Sequence, residues 1–279
     1  MSSLHGILYI VATPIGNLAD ISQRAIDILT SVDLIAAEDT RQTMKLLQAH
    51  NVKTSMLPYH DHNENEQSQR LINLLLQGSK IALVSDAGTP LISDPGFRLV
   101  HEARKLKLTV IPIPGACALI SALSASGLPS DRFLFLGFLP KSTNQRIALL
   151  QSLITEPGTL IFYEAGSRLQ ATLSDLATVF VTNRHVVLAR ELTKIHENFL
   201  CGMPDQLVAI LAEEPKHMKG EHVLLVEGAK HQPPQKSNAA EQTLRILLEE
   251  LPIAQAAKLA ARLSGNPRNE LYKLALTLQ

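Results

Sequence analysis

Residues 80–90 read Lys-Ile-Ala-Leu-Val-Ser-Asp-Ala-Gly-Thr-Pro. An aliphatic run enters a turn of small residues with an acid at its lip. A continuous apolar run of that length predicts a strand buried on both faces, as in a parallel sheet. Ligands of open α/β sheets sit outside the carboxyl ends of such strands. Small residues let a ligand approach the backbone closely, and Asp86 can accept a hydrogen bond from an amino or hydroxyl group. A tight turn needing positive φ accounts for the glycine equally well.

Working outward, residues 7–12, 33–37 and 109–112 are further strand-like runs. Between them, residues 21–29, 40–50, 65–77 and 97–106 repeat apolar side chains at three- and four-residue spacing, as helices do. Gly78 stands where a helix C-cap places it, and Asp94-Pro95 reads as a helix start, an acceptor followed by proline in the first turn. The rhythm resumes after Pro140, with strands expected at 159–163, 185–189 and 221–226 and helices at 168–180 and 204–212. The polar stretch 139–146 reads as a connector. Strand–helix alternation predicts α/β architecture with a largely parallel sheet. The expected organisation is an α/β domain over 1–138 and a second over 139–228. A Pro-containing linker over 229–240 and a small helical domain over 241–279 follow.

The 279 residues are 46% hydrophobic and 19% charged, which excludes a disordered or fibrous chain. Lys plus Arg and Asp plus Glu number 26 each, so any nucleic-acid contact must come from local patches. One patch is the tail, where Lys258, Arg262, Arg268 and Lys273 face a single acid, Glu270, in the last 29 residues. RNA contact and simple packing of the tail through Leu259, Leu263, Leu271 and Leu274 remain alternatives. Cys117 and Cys201 cannot build a disulfide framework and fit a reducing compartment. The first apolar run is too short for a signal segment, and no window approaches 18 uninterrupted apolar residues. A soluble cytoplasmic protein without membrane contact is expected.

The turn after the first strand, residues 12–20, lacks the glycines of a dinucleotide site and the Gly-Lys-Ser/Thr of a P-loop. Residues 112–118 form a second glycine-containing turn that opens a helix. Glu38 and Asp39 end a strand beside Arg41, where capping the next helix is a sufficient role for either acid. Residues 59–66, Tyr-His-Asp-His-Asn-Glu-Asn-Glu, form the densest polar cluster. A metal site, a solvated loop and a substrate contact are open readings of it, and no other His/Cys cluster has zinc spacing. Glu164 and Arg190 end strands in the second half and suit a structural ion pair. No nucleophile elbow or Cys/His arrangement stands out.

Read together, ATPIGNLAD, AAEDTR, YHDHNE, VSDAGTPLISDPG, PIPGACALISALSASGLPSDRF, GFLPK, LIFYE and ARELTK occur in one order across residues 7–228. The series resembles the bacterial small-subunit ribosomal RNA 2′-O-methyltransferase I family, within the tetrapyrrole-methylase superfamily of S-adenosylmethionine enzymes. The resemblance implies two α/β domains with S-adenosyl-L-methionine in the cleft between them, a helical C-terminal appendage and a homodimer; from the residue spacing, no metal is expected. It implies methylation of a cytidine ribose in the decoding region of 16S rRNA; the 30S subunit is the expected setting, with naked rRNA left open as the alternative substrate. The implied cofactor contacts are Pro14, Ile15, Asp86, Gly88, Thr89, Cys117, Ala118, Tyr163, Ala189 and His222. A departure is visible after LIFYE, where the family usually has Ser-x-His-Arg and this chain has Ala165-Gly166-Ser167-Arg168. An imidazole role cannot be carried over there.

A positioned base helps a ribose hydroxyl attack by roughly 10²–10⁴-fold, and Glu38, Asp39, His60 and Glu164 are its unranked candidates. RNA contacts are expected from Arg41, Lys141, Arg146, Arg168, Arg190 and Lys194, and from tail residues Lys258, Arg262, Arg268 and Lys273. A tetrapyrrole methylase of the same fold and a noncatalytic rRNA-binding assembly factor are the competing readings.

Overall fold

The computed structural model of the chain describes residues 6–180, 184–230 and 236–278. Residues 231–235 of the expected linker lie outside this set. Five strands make the first sheet: β1 (Ile7–Val11), β2 (Leu34–Ala37), β3 (Met56–Pro58), β4 (Lys80–Val84) and β5 (Thr109–Ile113). Helices α1 (Gln23–Ser31), α2 (Thr40–Ala49), α3 (Glu64–Leu76) and α4 (Phe97–Lys105) connect them in turn. All pairings are parallel, in the order β3-β2-β4-β1-β5. The central strand β4 is buried over Ile81–Val84, as its unbroken apolar run requires.

That order fixes where a ligand belongs. The chain leaves β1 toward β2 on one side and leaves β4 toward β5 on the other, so β1 and β4 flank the switch point of the sheet. The turns after them are stitched together: the Thr13 and Gly88 amides each donate to the other residue's carbonyl, at 2.8 and 3.0 Å. Gly88 has φ +83°, a conformation that glycine adopts without steric cost.

After α5 (Ala118–Ala125) comes a second sheet of β6 (Phe133–Phe138), β7 (Thr159–Ala165), β8 (Val186–Arg190), β9 (Asn198–Gly202) and β10 (Glu221–Val226), with α6 (Thr143–Ser152), α7 (Leu169–Val179) and α8 (Pro204–Glu213). Its order is β6-β7-β10-β8-β9, and only β6–β7 is parallel. The sheet is therefore mixed. β6 falls before residue 139, so the second sheet begins inside the segment assigned above to the first domain. A cluster of Leu119, Ala122 and Leu123 from α5 with Ile161, Val187, Ala189 and Val223 also draws in Ile15 and Ile92. Its apolar surface comes from both sheets, and residues 1–228 accordingly form one compact unit.

The second unit, residues 229–279, is helical: α9 (Lys236–Glu250), α10 (Ile253–Ser264) and α11 (Arg268–Thr277). α9 begins inside the stretch read as linker. This unit has a core of its own, with Leu244, Ala256, Ala257, Ala260, Leu271 and Ala275 buried. Leu271 is buried within the unit itself, while Leu259 and Leu263 are exposed. Among the described residues no helix is long and apolar enough to cross a membrane.

Candidate active site

The turns after β1, β4 and β5 converge with β7, β8 and β10 around a cavity of about 400 Å³, within the roughly 300–1,000 Å³ typical of small-molecule sites. Ile15, Gly88, Thr89, Cys117, Ala118, Tyr163, Ala189 and His222 line it together, although they come from six separate stretches of sequence. Pro14 and Asp86 stand beside it and are not part of its wall. Ile92, Phe138, Leu192 and Glu221, which sequence reading does not single out, also line it, as does Asp94, which reads in the sequence as a helix start.

Local interactions hold the wall in place. Thr89 donates its hydroxyl to the Ala116 carbonyl at 3.0 Å, tying the β4 turn to the β5 turn. Tyr163 accepts the Leu119 amide at 3.3 Å and meets the rings of Phe135 and Phe138 edge-on at 4.9 and 5.7 Å. Burial, with Cys117 next to it, pushes the Tyr163 phenol well above its usual range. A Cβ on Gly16 would meet Lys194 and Thr193, so the β1 turn lies directly on the loop after β8.

His222 is 3% exposed, and its Nε2 pairs with the His217 carbonyl at 2.9 Å. Burial, with Arg190 nearby, lowers its pKa, favouring the neutral ring. With Nε2 carrying the proton, Nδ1 is an acceptor, and it is buried without a partner. The wall contains no Lys or Arg but three carboxylates, Asp94, Glu164 and Glu221. A largely apolar cavity with an orphaned acceptor and no cation suits a cationic sulfonium better than a phosphate-bearing cofactor.

The four candidate bases are not gathered at one point. Asp39 is the N-cap of α2, accepting the Arg41 amide at 2.7 Å. Glu38 accepts the Asp86 amide at 3.1 Å, and Asp86 accepts the Asp39 amide at 2.9 Å, a reciprocal staple across β2 and β4. Burial raises the pKa of both Glu38 and Asp86. His60 faces Asn63, with Nε2 at 3.3 Å from its amide, and lies outside the cavity wall. Glu164 reaches the wall but is closed by Arg168 at 3.2 Å, Thr172 at 2.7 Å and the Ala165 amide at 2.9 Å. Its ionic partner is thus Arg168, four residues along; Arg190 donates instead to the Lys219 carbonyl at 2.7 Å. Among the described residues no group of three or more His, Cys, Asp or Glu is placed to hold a metal.

The expected RNA contacts also divide. Arg146 is buried, paired with Asp175 at 2.5 Å and bonded to the Pro140 and Lys141 carbonyls, so it braces the connector against α7 rather than facing a polyanion. Arg168 is similarly engaged with Leu139 and Glu164. Lys194 is held between Glu191 and Glu221 at 3.0 and 2.9 Å. Arg41, Lys141, Lys258, Arg262, Arg268 and Lys273 are exposed.

Asp94 does not cap α4. The N-cap is Gly96, and the Gly96 and Arg98 amides both donate to the Glu64 carboxylate, at 3.2 and 3.3 Å. A carboxylate from α3 has taken over the capping role, and Asp94 faces the cavity. Ser93-Asp94-Pro95-Gly96 echoes Ser85-Asp86-Ala87-Gly88, but four residues are too short an echo to mark a site.

Known proteins agree with this architecture. The Tetrapyrrole (Corrin/Porphyrin) Methylases profile matches residues 7–209, and that of the RsmI C-terminal HTH domain matches residues 234–279. Ribosomal RNA small subunit methyltransferase I of Escherichia coli O157:H7 is 51% identical, over 98% of this chain and 96% of its own length. Among solved structures, diphthine synthase superposes with TM-score 0.61 at 16% identity, covering 80% of this chain and 90% of that one. Uroporphyrin-III C-methyltransferase from Thermus thermophilus, complexed with S-adenyl homocysteine, gives 0.54 at 14%, covering 80% and 97%. These two likenesses speak for the fold. By its profile match and its full-length identity, the chain belongs to the tetrapyrrole (corrin/porphyrin) methylases, in the ribosomal RNA small subunit methyltransferase I family.

Proposed function

We propose that this chain transfers a methyl group from S-adenosyl-L-methionine to the ribose 2′-hydroxyl of a cytidine in the decoding region of 16S rRNA. The observation that carries this reading is the cation-free cavity at the switch point, in a chain 51% identical to a small-subunit rRNA methyltransferase over nearly its whole length. Ile15, Gly88, Thr89, Cys117, Ala118, Tyr163, Ala189 and His222 hold the cofactor, with Pro14 and Asp86 at the rim.

When bound, S-adenosylmethionine supplies a methyl group already activated by its sulfonium. The protein's task is then mainly alignment and exclusion of water. Ile15, Ile92, Phe138 and Leu192 give the cavity an apolar lining. The His222 ring, held by the His217 carbonyl, stands in the cavity wall. RNA is gripped by exposed local charge, Arg41 and Lys141 on the α/β unit and Lys258, Arg262, Arg268 and Lys273 on the helical unit. A homodimer working in the cytoplasm on the assembled 30S subunit completes the proposal, since two copies double each RNA-facing patch.

Incubating the chain with radiolabelled S-adenosylmethionine and, separately, naked 16S rRNA, 30S subunits and a tetrapyrrole precursor tests this. Label in 2′-O-methylcytidine after nuclease digestion is expected. Label in the tetrapyrrole alone, or none in any substrate, would refute it.

A further inference from the structure

The three carboxylates of the cavity wall differ in what surrounds them. Glu164 is closed by Arg168, Thr172 and a backbone amide. Glu221 extends into solvent, its side chain 82% exposed, and pairs with Lys194. Asp94 is half-buried, and the charges that act on it are all negative: Glu38 after β2, Asp86 after β4 and Asp61 before α3. Its loop is rigidly shaped. Leu91 and Ser93 on either side of Ile92 are non-glycine residues in the left-handed region, at φ 74° and 67°. Pro95 and Gly96 behind it are buried, and Glu64 has relieved it of capping α4. A strained loop holding against a cavity an acid that has the Ser85 hydroxyl but no cation for a partner is the pattern of a functional position.

We propose that Asp94 is the catalytic base, taking the proton of the attacking ribose hydroxyl; this rests on the rRNA-methyltransferase reading above. The O–H bond breaks and its proton moves to an Asp94 carboxylate oxygen. The freed oxygen pair forms the bond to the methyl carbon, and the carbon–sulfur bond breaks with its electrons left on sulfur, converting sulfonium to thioether. Asp94 then releases the proton to water.

Its protonation equilibrium suits the task. Burial first, then the charges of Glu38, Asp86 and Asp61, raise the carboxyl to about 6 against the pull of the Ser85 hydroxyl. A base titrating just below neutral pH is mostly ionised there and still accepts a proton readily. From the second sheet Tyr163, Glu164, Glu221 and His222 line the same cavity, and the Tyr163 phenol is itself pushed up in part by the Asp94 charge.

The test is Asp94→Asn in the full chain, measured by single-turnover methyl transfer to the active rRNA substrate. The wild-type rate should rise with pH through about 6 and then level. Asp94→Asn should lose about 100-fold at pH 8 and lose that rise, whereas Asp94→Glu should recover part of the rate and keep it. Two readouts do not depend on turnover. Cofactor affinity by calorimetry should fall by less than about tenfold, the loss of one wall carboxylate of three, well short of the loss in rate. Melting temperature carries a sign: an acid whose pKa is higher folded than unfolded opposes folding once ionised, and has no such effect when protonated in both states. Asp94→Asn should therefore raise the melting temperature at pH 8, the gain fading toward pH 4. An active wild type with an equally active Asp94→Asn that keeps the acid limb would overturn the assignment alone. So would a lower melting temperature at pH 8 with cofactor affinity weakened as much as the rate, which would make Asp94 a structural brace. A wild type inactive on every rRNA substrate would defeat the rRNA reading itself.

Discussion

The two sheets of the α/β unit end their strands in charged residues, and they treat those charges in opposite ways. Around the first, all-parallel sheet, Glu38 and Asp86 meet only backbone amides in their staple, and Asp94 is held among acids. In the second, mixed sheet, Glu164 and Arg168 neutralise each other and Lys194 is bracketed by two glutamates. The helices that follow the second sheet's strands repeat this habit, with Arg146 locked to Asp175. Charge in the second sheet holds the wall of the cavity together. Charge in the first is left available to change protonation state. The contrast predicts that substitutions on one side cost stability and on the other cost rate.

The largest stability effect should come from the second sheet. Glu164→Gln leaves Arg168 partly buried without its anion, and breaking a buried pair costs about 3 kcal/mol. Urea denaturation should show that loss, and a change below about 0.5 kcal/mol, the range of an exposed pair, would erase the contrast. A smaller effect separates structural from RNA-facing cations. Replacing Lys258, Arg262, Arg268 and Lys273 by alanine should flatten the log–log salt dependence of RNA binding by about 0.7 for every phosphate that is no longer neutralised, with cofactor affinity unchanged. Arg146→Met should leave that slope alone while lowering stability, because its guanidinium is already spent on Asp175. Equal slopes for wild type and the tail variant would assign the tail to packing.

How far the sequence predicts this arrangement depends on the range of the interaction. β1, β2, β4, β5, β7, β8 and β10 are legible because buried strands are apolar runs closed by turn residues. β3 has three residues, and β9, Asn-Phe-Leu-Cys-Gly, lies at a sheet edge, so neither shows a clear period. β6, Phe-Leu-Phe-Leu-Gly-Phe, is apolar enough, but its partner in the second sheet is a matter of tertiary pairing. The site divides in the same way. Turn residues such as Gly88 and Thr89 announce themselves locally. Asp94 looks like a helix cap because nothing nearby in sequence shows Glu64 arriving from α3 to do that work. Arg146 looks like a free cation because its burial depends on α7.

The central claim, that the cavity at the β1/β4 switch point is the S-adenosylmethionine site, is tested most directly by titrating the cofactor into wild type and Gly88→Val in a calorimeter. At Gly88, φ is +83° and a Cβ would stand 3.3 Å from Ile15 Cγ2, so valine both strains the turn and fills the wall. The strain costs about 1–3 kcal/mol of stability, which a chain that still melts cooperatively can bear. The account predicts one cofactor per wild-type chain and an affinity at least about tenfold weaker, roughly 1.4 kcal/mol, in the folded variant. Wild-type affinity in folded Gly88→Val would contradict it.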